Sequence, residues 1–430
     1  MRIEDFTKLN HEQIRERLGE VRQEFPPEIT EEVKSIIRDV ARRGDEALIE
    51  STRRFDGVEL SRDSIQVDSA EIEECTGKAE RAFSDALDVS IQRVAEYHRH
   101  ERVEDRLSVD GFGNLLGRKC TPVERVGIYI PGGKASYPST LVMTAVPAIV
   151  AGVERISLCT PPSSFIRPSA LALAIQKIGR IDRVYRVGGV QGVAALALGT
   201  ESVQRVDKIV GPGNMYVTVA KKELYGYVDI DMVAGPSEVL VITDGSANPG
   251  LAAVDLIAQA EHDERARAMC IATSMETARA VGREVERLLK KTERRKIARE
   301  SIEKNGMIFV VSGEETAAAV ANALAPEHLE IQTRDPRAIL PLIRNAGAIF
   351  LGAYSAEAFG DYVAGPSHVL PTGGTARFFS PLSVLSFMKF SSVIDMSKKG
   401  MDELGPHAAC FAEKEGLSSH AASIYRRKEE

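Results

Sequence analysis

The sequence predicts an α/β fold built on two parallel sheets, with helical segments added at both ends. Three observations carry this. From Val126 onward, short β-branched runs alternate with helical patterns, and the runs end in glycine before the next helix begins. The alternation pauses and then resumes after residue 237, so two such units follow one another. Asp231–Leu240 and Asp361–Leu370 agree at eight of ten positions, which fits two related halves. At 430 residues the chain is also too long for a single core.

The N-terminal part has a different texture. Residues 30–54 and 68–100 read as helices, with charged faces, apolar residues three and four apart, and Thr30 as an N-cap. His98 and His100 fall in a charged run and read as a solvated face. The first unit opens with strand Val126–Ile130, which ends in Pro131, Gly132 and Gly133. Helix 139–151, strand Arg155–Cys159, helix 168–178 and strand Val184–Val187 follow. Gly188 and Gly189 open another helix, and strand 207–210 passes through Gly211–Asn214 into one more. Strand–glycine–helix turns of this kind are Rossmann-like.

The second unit has strands Val239–Thr243, Met269–Thr273, Met307–Val311, Leu329–Thr333 and Ala348–Leu351. Helices 249–263, 276–303, 314–325 and 336–345 lie between them. Asn248 as N-cap and Pro249 at the first helical position open the helix at 249. Beyond Ser391 a polar turn at Ser397–Gly400 leads to a tail too small for a core of its own, which must pack on the body or on a partner.

Composition narrows the function. Hydrophobic residues at 43% and charged residues at 27% are those of a soluble globular protein. The net charge of −7, without a broad basic stripe, argues against nucleic acid. Cys75, Cys120, Cys159, Cys270 and Cys410 are dispersed with no CxxC, as expected for reduced thiols rather than disulfides or a cysteine zinc site. The N-terminus has no apolar signal region. The longest apolar stretch, Leu141–Val153, is too short to span a membrane and contains Pro147. A cytoplasmic protein with no membrane partner is expected.

Several residues can carry chemistry. Gln259 and His262, three apart, share a face of a last helical turn. A helix end opening on a cleft can hold a metal with such a pair, but Gln is an unusual zinc ligand, and a polar cap on a packed helix is the plainer reading. With Asp361 after a glycine and His420 in the tail they make an O₂N₂ set acceptable to Zn²⁺. HExxH is absent, which counts against a metalloprotease. Glu327 and His328 offer two proton-transfer groups if Pro326 marks a turn and burial raises the glutamate pKa. Capping of a helix C-terminus is the alternative for His328. The loops Gly132–Gly133, Gly188–Gly189 and Gly211–Asn214 suit phosphate or ribose at helix N-termini. No complete GxGxxG occurs, and ordinary left-handed turns would look the same.

Taken together, Tyr129–Gly133, Gly188–Gln191, Gly211–Asn214, Ala234–Glu238, Ala258–His262, Pro326–Leu329, Gly360–His368 and Glu415–His420 resemble the histidinol dehydrogenases, zinc- and NAD-dependent enzymes that end histidine biosynthesis. These eight ordered segments span some two thirds of the chain, and the first 120 residues add no specific match. The resemblance implies two incomplete Rossmann-like domains. The expected division is an N-terminal helical extension (1–29), a first α/β domain with the zinc and catalytic residues (30–118 and 237–385), an NAD-binding domain (119–236), and a tail (386–430) swapped onto the partner.

It further implies one zinc per subunit on Gln259, His262, Asp361 and His420, with His420 supplied by the other subunit of a homodimer. Ser237, His328, His368 and Glu415 would contact L-histidinol beside the metal ligands, Glu415 also arriving in trans. Tyr129, Gln191 and Asn214 would contact NAD. The implied reaction is a four-electron oxidation of L-histidinol to L-histidine through L-histidinaldehyde with two NAD. In it His328 is the base in both hydride transfers and Glu327 activates water. Two rivals stand beside this: a zinc- and NAD-dependent dehydrogenase of another small alcohol, and a zinc metallohydrolase or non-catalytic nucleotide-binding protein.

Overall fold

The computed structural model describes residues 1–19, 25–77, 80–132, 137–165 and 169–428; Gly133 and Pro168 lie outside the described residues. The chain begins with β1 (Arg2–Asp5), α1 (His11–Leu18), α2 (Pro27–Arg43), α3 (Asp45–Asp56), α4 (Arg62–Ile65), β2 (Gln66–Val67), α5 (Ser69–Thr76) and α6 (Arg81–Arg99). A hairpin follows, β3 (Arg106–Val109) and β4 (Leu115–Pro122). The first α/β unit is β5 (Arg125–Tyr129), α7 (Pro138–Ala151), β6 (Arg155–Cys159), α8 (Ala170–Ile178), β7 (Arg183–Tyr185), α9 (Gly189–Leu198), β8 (Lys208–Val210), α10 (Met215–Leu224) and β9 (Asp229–Ile230). The second is β10 (Glu238–Thr243), α11 (Pro249–Ala260), β11 (Arg267–Ala272), α12 (Met275–Leu289), α13 (Arg295–Asn305), β12 (Met307–Val310), α14 (Glu314–Leu324), β13 (His328–Gln332), α15 (Pro336–Ile339), β14 (Ala348–Leu351) and α16 (Glu357–Tyr362). The chain closes with β15 (Met388–Asp395), α17 (Lys398–Lys414) and α18 (Ser418–Lys428).

The two units are built alike. Their sheets run β2-β7-β6-β5-β8-β9 and β1-β12-β11-β10-β13-β14. In both, a unit's own five strands stand in the order third, second, first, fourth, fifth, all parallel, and the N-terminal segment lends the edge strand. The ten-residue repeat obeys the same plan, because each copy follows the fifth strand of its unit. Central strands such as β10 and β11 are buried on both faces and read largely as apolar runs, whereas β13 is as buried yet carries His328, Glu330 and Gln332. In β10, Val239 and Val241 join the core beneath α11, α12 and α13, while Leu240 and Ile242 join that of α1 and α14.

The N-terminal region departs from expectation. The segment 1–29 is not purely helical, since β1 pairs in parallel with β12. Within residues 30–118, α2, α3 and α6 share cores with the first unit, while β3 and β4 pair with β15, and Ser90 on α6 donates to the Tyr362 carbonyl of the second unit at 2.6 Å. β2 pairs with β7, Val33, Val40 and Leu48 share a core with Tyr185 and Leu196, and Leu87 and Val94 share one with Ile128 and Leu141. Gly44 and Gly77, at φ 56° and 57°, break the two expected long helices, a conformation glycine adopts without strain. Pro26, not Thr30, is the N-cap of α2. His98 is fully buried, with Nδ1 2.6 Å from Glu101, so it is no solvated face.

Further along, the expected 276–303 helix divides at a turn where the Lys291 N–H and the Thr292 hydroxyl both donate to the Leu288 carbonyl. Pro341, which has no N–H to give, holds the 336–345 helix to one turn of α15 and a 3₁₀ turn. Residues 386–430 are not all tail, because β15 pairs antiparallel with β4 along its whole length. The expected polar turn at Ser397 is the N-cap of α17. Among the described residues no helix is long and apolar enough to cross a membrane.

Candidate active site

The most heavily buried chemistry lies at the amino ends of β10 and β13. Helix α14 ends in Ala325, the one non-glycine at positive φ (49°) among the described residues. Pro326 follows, and the chain bends at Glu327 into β13. Strand alternation alone would send Glu327 and His328 to opposite faces, yet both reach the backbone of Glu238. Glu327 Oε2 accepts from the Glu238 N–H at 2.8 Å, and His328 Nδ1 lies 3.0 Å from the Glu238 carbonyl. A carbonyl only accepts, so Nδ1 carries the proton and the Nε2 lone pair is left free.

Their environment sets their charge. Glu327 is 6% exposed and His328 5%. Burial pushes the Glu327 carboxyl well above the usual range, against the backbone bond that lowers it and with Glu238 and Asp361 adding to the rise. Burial likewise pushes His328 down to about 4, opposed by Asp361 and by the bond to Glu238. At neutral pH the imidazole is therefore an uncharged base.

Around this pair stand the other predicted residues of the second unit. His262 follows α11, its N–H bonded to the Gln259 carbonyl at 3.2 Å. Gln259 is 1% exposed, and its Oε1 has no partner among the described residues. His368 Nδ1 lies 3.1 Å from the Asp361 carbonyl, which fixes its tautomer as it does for His328, and 3.7 Å from Oδ1 of the same residue. Burial lowers the His368 pKa, with Asp361 opposing. His262, Asp361 and His368 all bear on the charge of His328, so they share one electrostatic neighbourhood. Ser237 sits half-buried at the start of β10, its carbonyl accepting from the Arg267 N–H at 3.0 Å. No three His, Cys, Asp or Glu side chains form a metal-holding group among the described residues.

Glu415 and His420 are not brought to this place. They lie exposed at the end of α17 and the start of α18. These helices pack on each other through Ala409, Ala412, Ala421 and Ile424, and Tyr425 donates to Glu413 at 2.9 Å.

A cavity of about 1030 Å³ opens at the carboxyl ends of the first unit's strands, lined by Tyr129, Gly132, Gln191 and Asn214 among others. The Tyr129 hydroxyl accepts from the Gly189 N–H at 3.0 Å, and burial raises its pKa. Asn214 caps α10 through the Val217 N–H at 3.1 Å. Gln191 is 1% exposed, with Nε2 unpartnered among the described residues. Gly211 sits at φ 114°, where a Cβ would collide with the Tyr129 carbonyl. Its N–H donates to Asp231 Oδ2 at 2.7 Å and its carbonyl accepts from Lys221 at 2.9 Å, while Lys221 and Asp231 form a buried ion pair. These glycines serve close approach. The far wall, with Glu32, Asp56 and Glu59, comes from the N-terminal segment and was invisible to spacing.

The family model for histidinol dehydrogenase matches residues 20–428 of this chain. The chain belongs to the histidinol dehydrogenase family. It is similar to the histidinol dehydrogenase of Syntrophotalea carbinolica, 50% identical over 405 residues that make up 94% of each chain. To that of Aquifex aeolicus it is 47% identical over 434 residues, 100% of both. The crystal structure of histidinol dehydrogenase from Elizabethkingia anophelis matches with a TM-score of 0.92 at 33% identity, covering 100% of this chain and 98% of that one.

Membership in the histidinol dehydrogenase family makes the chain an oxidoreductase of histidine biosynthesis and accounts for its paired α/β units. Spacing gives no sign of Glu330, Asp255 and Glu357, buried carboxyls of the same unit as Glu327 and His328. A lone acid inside a strand or an apolar helix face carries no spacing signal.

Proposed function

We propose that the chain oxidises L-histidinol to L-histidine through L-histidinaldehyde, consuming two NAD⁺ and one water and releasing two NADH and three protons. The observation that carries this is the His328 tautomer: held by the Glu238 carbonyl, the imidazole keeps Nε2 free beside a buried carboxyl. His328 Nε2 takes the alcohol proton in the first oxidation and the hydrate proton in the second. Between them Glu327 takes a proton from water as it adds to the aldehyde. Burial of both groups excludes bulk water from a reactive aldehyde.

The residues fit a zinc ion. Gln259 leaves a buried oxygen unpartnered, and the imidazole of His262 and the carboxylate of Asp361 are donors zinc accepts. With His420 from a second copy they would hold one zinc per subunit. Ser237, His368 and Glu415 of the second copy would contact the substrate. Tyr129, Gln191 and Asn214 would hold NAD, and the unpartnered Gln191 amide in a large cavity supports this. When bound, zinc supplies a positive centre that positions the substrate's nitrogens and NAD⁺ supplies the hydride acceptor.

The dimer is supported by the α17–α18 hairpin, which leaves Phe411 73% exposed along with Leu417 and Tyr425. On this reading residues 119–236 bind the nucleotide and 237–385 carry the zinc and the reactive pair. The setting is the cytoplasm, in keeping with five free cysteines. The test is NADH formation with L-histidinol against a panel of small primary alcohols. Turnover of other alcohols without turnover of histidinol would refute the proposal.

A further inference from the structure

Glu330 is an ionisable residue with no exposed surface, in the middle of β13 between β10 and β14. Burying a carboxyl there is costly unless its oxygens are used. Both are. Oε1 accepts from the Glu357 N–H at 3.0 Å, at the first residue of α16, whose N-cap Ala356 has no side chain to do this. Oε2 accepts from Gln332 Nε2 at 2.7 Å, and the same amide donates to Asp255 Oδ2 on α11 at 2.8 Å. Burial raises the pKa of both carboxyls, and the negative charge of Asp255 raises that of Glu330 further.

The three elements joined by this carboxyl are those that bear the proposed chemistry. Asp255 stands four residues before Gln259 on α11, and Glu357 four before Asp361 on α16, so each anchor lies one turn from a proposed ligand on the same helix face. Glu330 itself stands two residues after His328 on β13, on the same side of the strand.

We propose that Glu330 is a positioning residue that fixes the two ligand-bearing helices against the strand of the reactive pair, acting through Asp255 and the start of α16. It rests on the zinc assignment above. Cutting the tie lets Gln259 and Asp361 move apart, which loosens the metal rather than the fold. Supporting residues of this kind set metal affinity by roughly 10–100-fold.

The experiment measures zinc content and the rate of zinc release to a chromogenic chelator, well below the melting temperature, together with NADH binding by fluorescence. Glu330→Leu is expected to release zinc at least about tenfold faster with NADH affinity unchanged. Glu330→Gln keeps an acceptor for the Glu357 N–H and, with the Gln332 amide flipped to offer its unpartnered oxygen, a partner for its own N–H₂, and is expected to recover most of the wild-type rate. A folded Glu330→Leu protein that releases zinc at the wild-type rate would overturn the proposal. Should that variant fail to fold, Asp255→Ala decides, since it cuts only the α11 arm; wild-type release there would equally overturn it. A wild-type protein that holds no zinc removes the metal assignment, and this proposal with it.

Discussion

Two inactive variants should restore activity to each other if the tail works in trans. His262→Ala removes a proposed ligand beside α11, and His420→Ala removes a proposed one on α18. The structure keeps these residues apart: the α17–α18 hairpin packs on itself, and its hydrogen bonds to the body run through Ser397 to Asn114 and Phe112 and through Lys399 to Gly111. If each site combines His262 of one copy with His420 of the other, a mixed dimer has one site with both defects and one with neither. Random pairing makes half the dimers mixed, and half the sites in those are whole. Refolding equal amounts of the two variants together should therefore recover about a quarter of wild-type activity. The assay is NADH formation from histidinol, with mass spectrometry of differently tagged chains to prove mixing. No recovery in a preparation shown to contain mixed dimers would place His420 in cis and refute the swapped tail.

Other outcomes follow from the same geometry. His262→Asn should lose zinc and activity together, from about one zinc per chain to near none by metal analysis, and a metal-free wild-type preparation with full activity would contradict this. Glu327→Gln should slow oxidation of supplied histidinaldehyde more than the first hydride transfer, whereas His328→Asn should impair both; equal losses for Glu327→Gln would remove the assigned roles. Folded His328 titrates at about 4 and unfolded histidine near 6.5, so between these values the unfolded chain binds the extra proton and stability falls as the pH drops. Wild type should thus lose up to about 3 kcal/mol relative to His328→Asn over that window, read by denaturant melts at each pH. Gly211→Ala should cost about 1–3 kcal/mol in backbone strain, beyond its collision with the Tyr129 carbonyl, and weaken NADH binding; unchanged melting and affinity would contradict this.

Most strands of both units are legible because a buried parallel strand is largely an apolar run, as in residues 239–242. What failed was everything whose cause lies far along the chain. β1 and β2 are edge strands of four and two residues, recruited by partners some 300 and 120 residues away, and no local pattern marks them. The stripe of Val33 and Val40 says that a face is covered, not what covers it, so nothing local ties α2 to the first unit. Gly44 and Gly77 broke helices whose charged pattern continues across them. Within the site, the left-handed Ala325 and the bend at Glu327, on either side of Pro326, bring Glu327 and His328 to Glu238. Spacing alone pairs Gln259 with His262 at the end of α11, but Asp361, far along the chain on α16, joins them only by resemblance.

Glu327 and His328, the proposed reactive pair, meet Glu238 at the amino ends of β10 and β13, whereas the large cavity occupies the carboxyl ends of β5 and its neighbours. The carboxyl edge of the second sheet is therefore spare, and the chain closes it with its own groups: Asp244 accepts from the Arg334 N–H at 3.0 Å and from the Ser246 N–H at 2.8 Å. The loop from Asp244 to Asn248 is largely exposed and lies a full strand, roughly 20 Å, from Glu238. For anyone wishing to tether this enzyme to a surface, to graft an epitope or to attach a dye, that loop is the handle: fixed to a rigid strand, open to solvent, and at the far side of the sheet from the atoms that react.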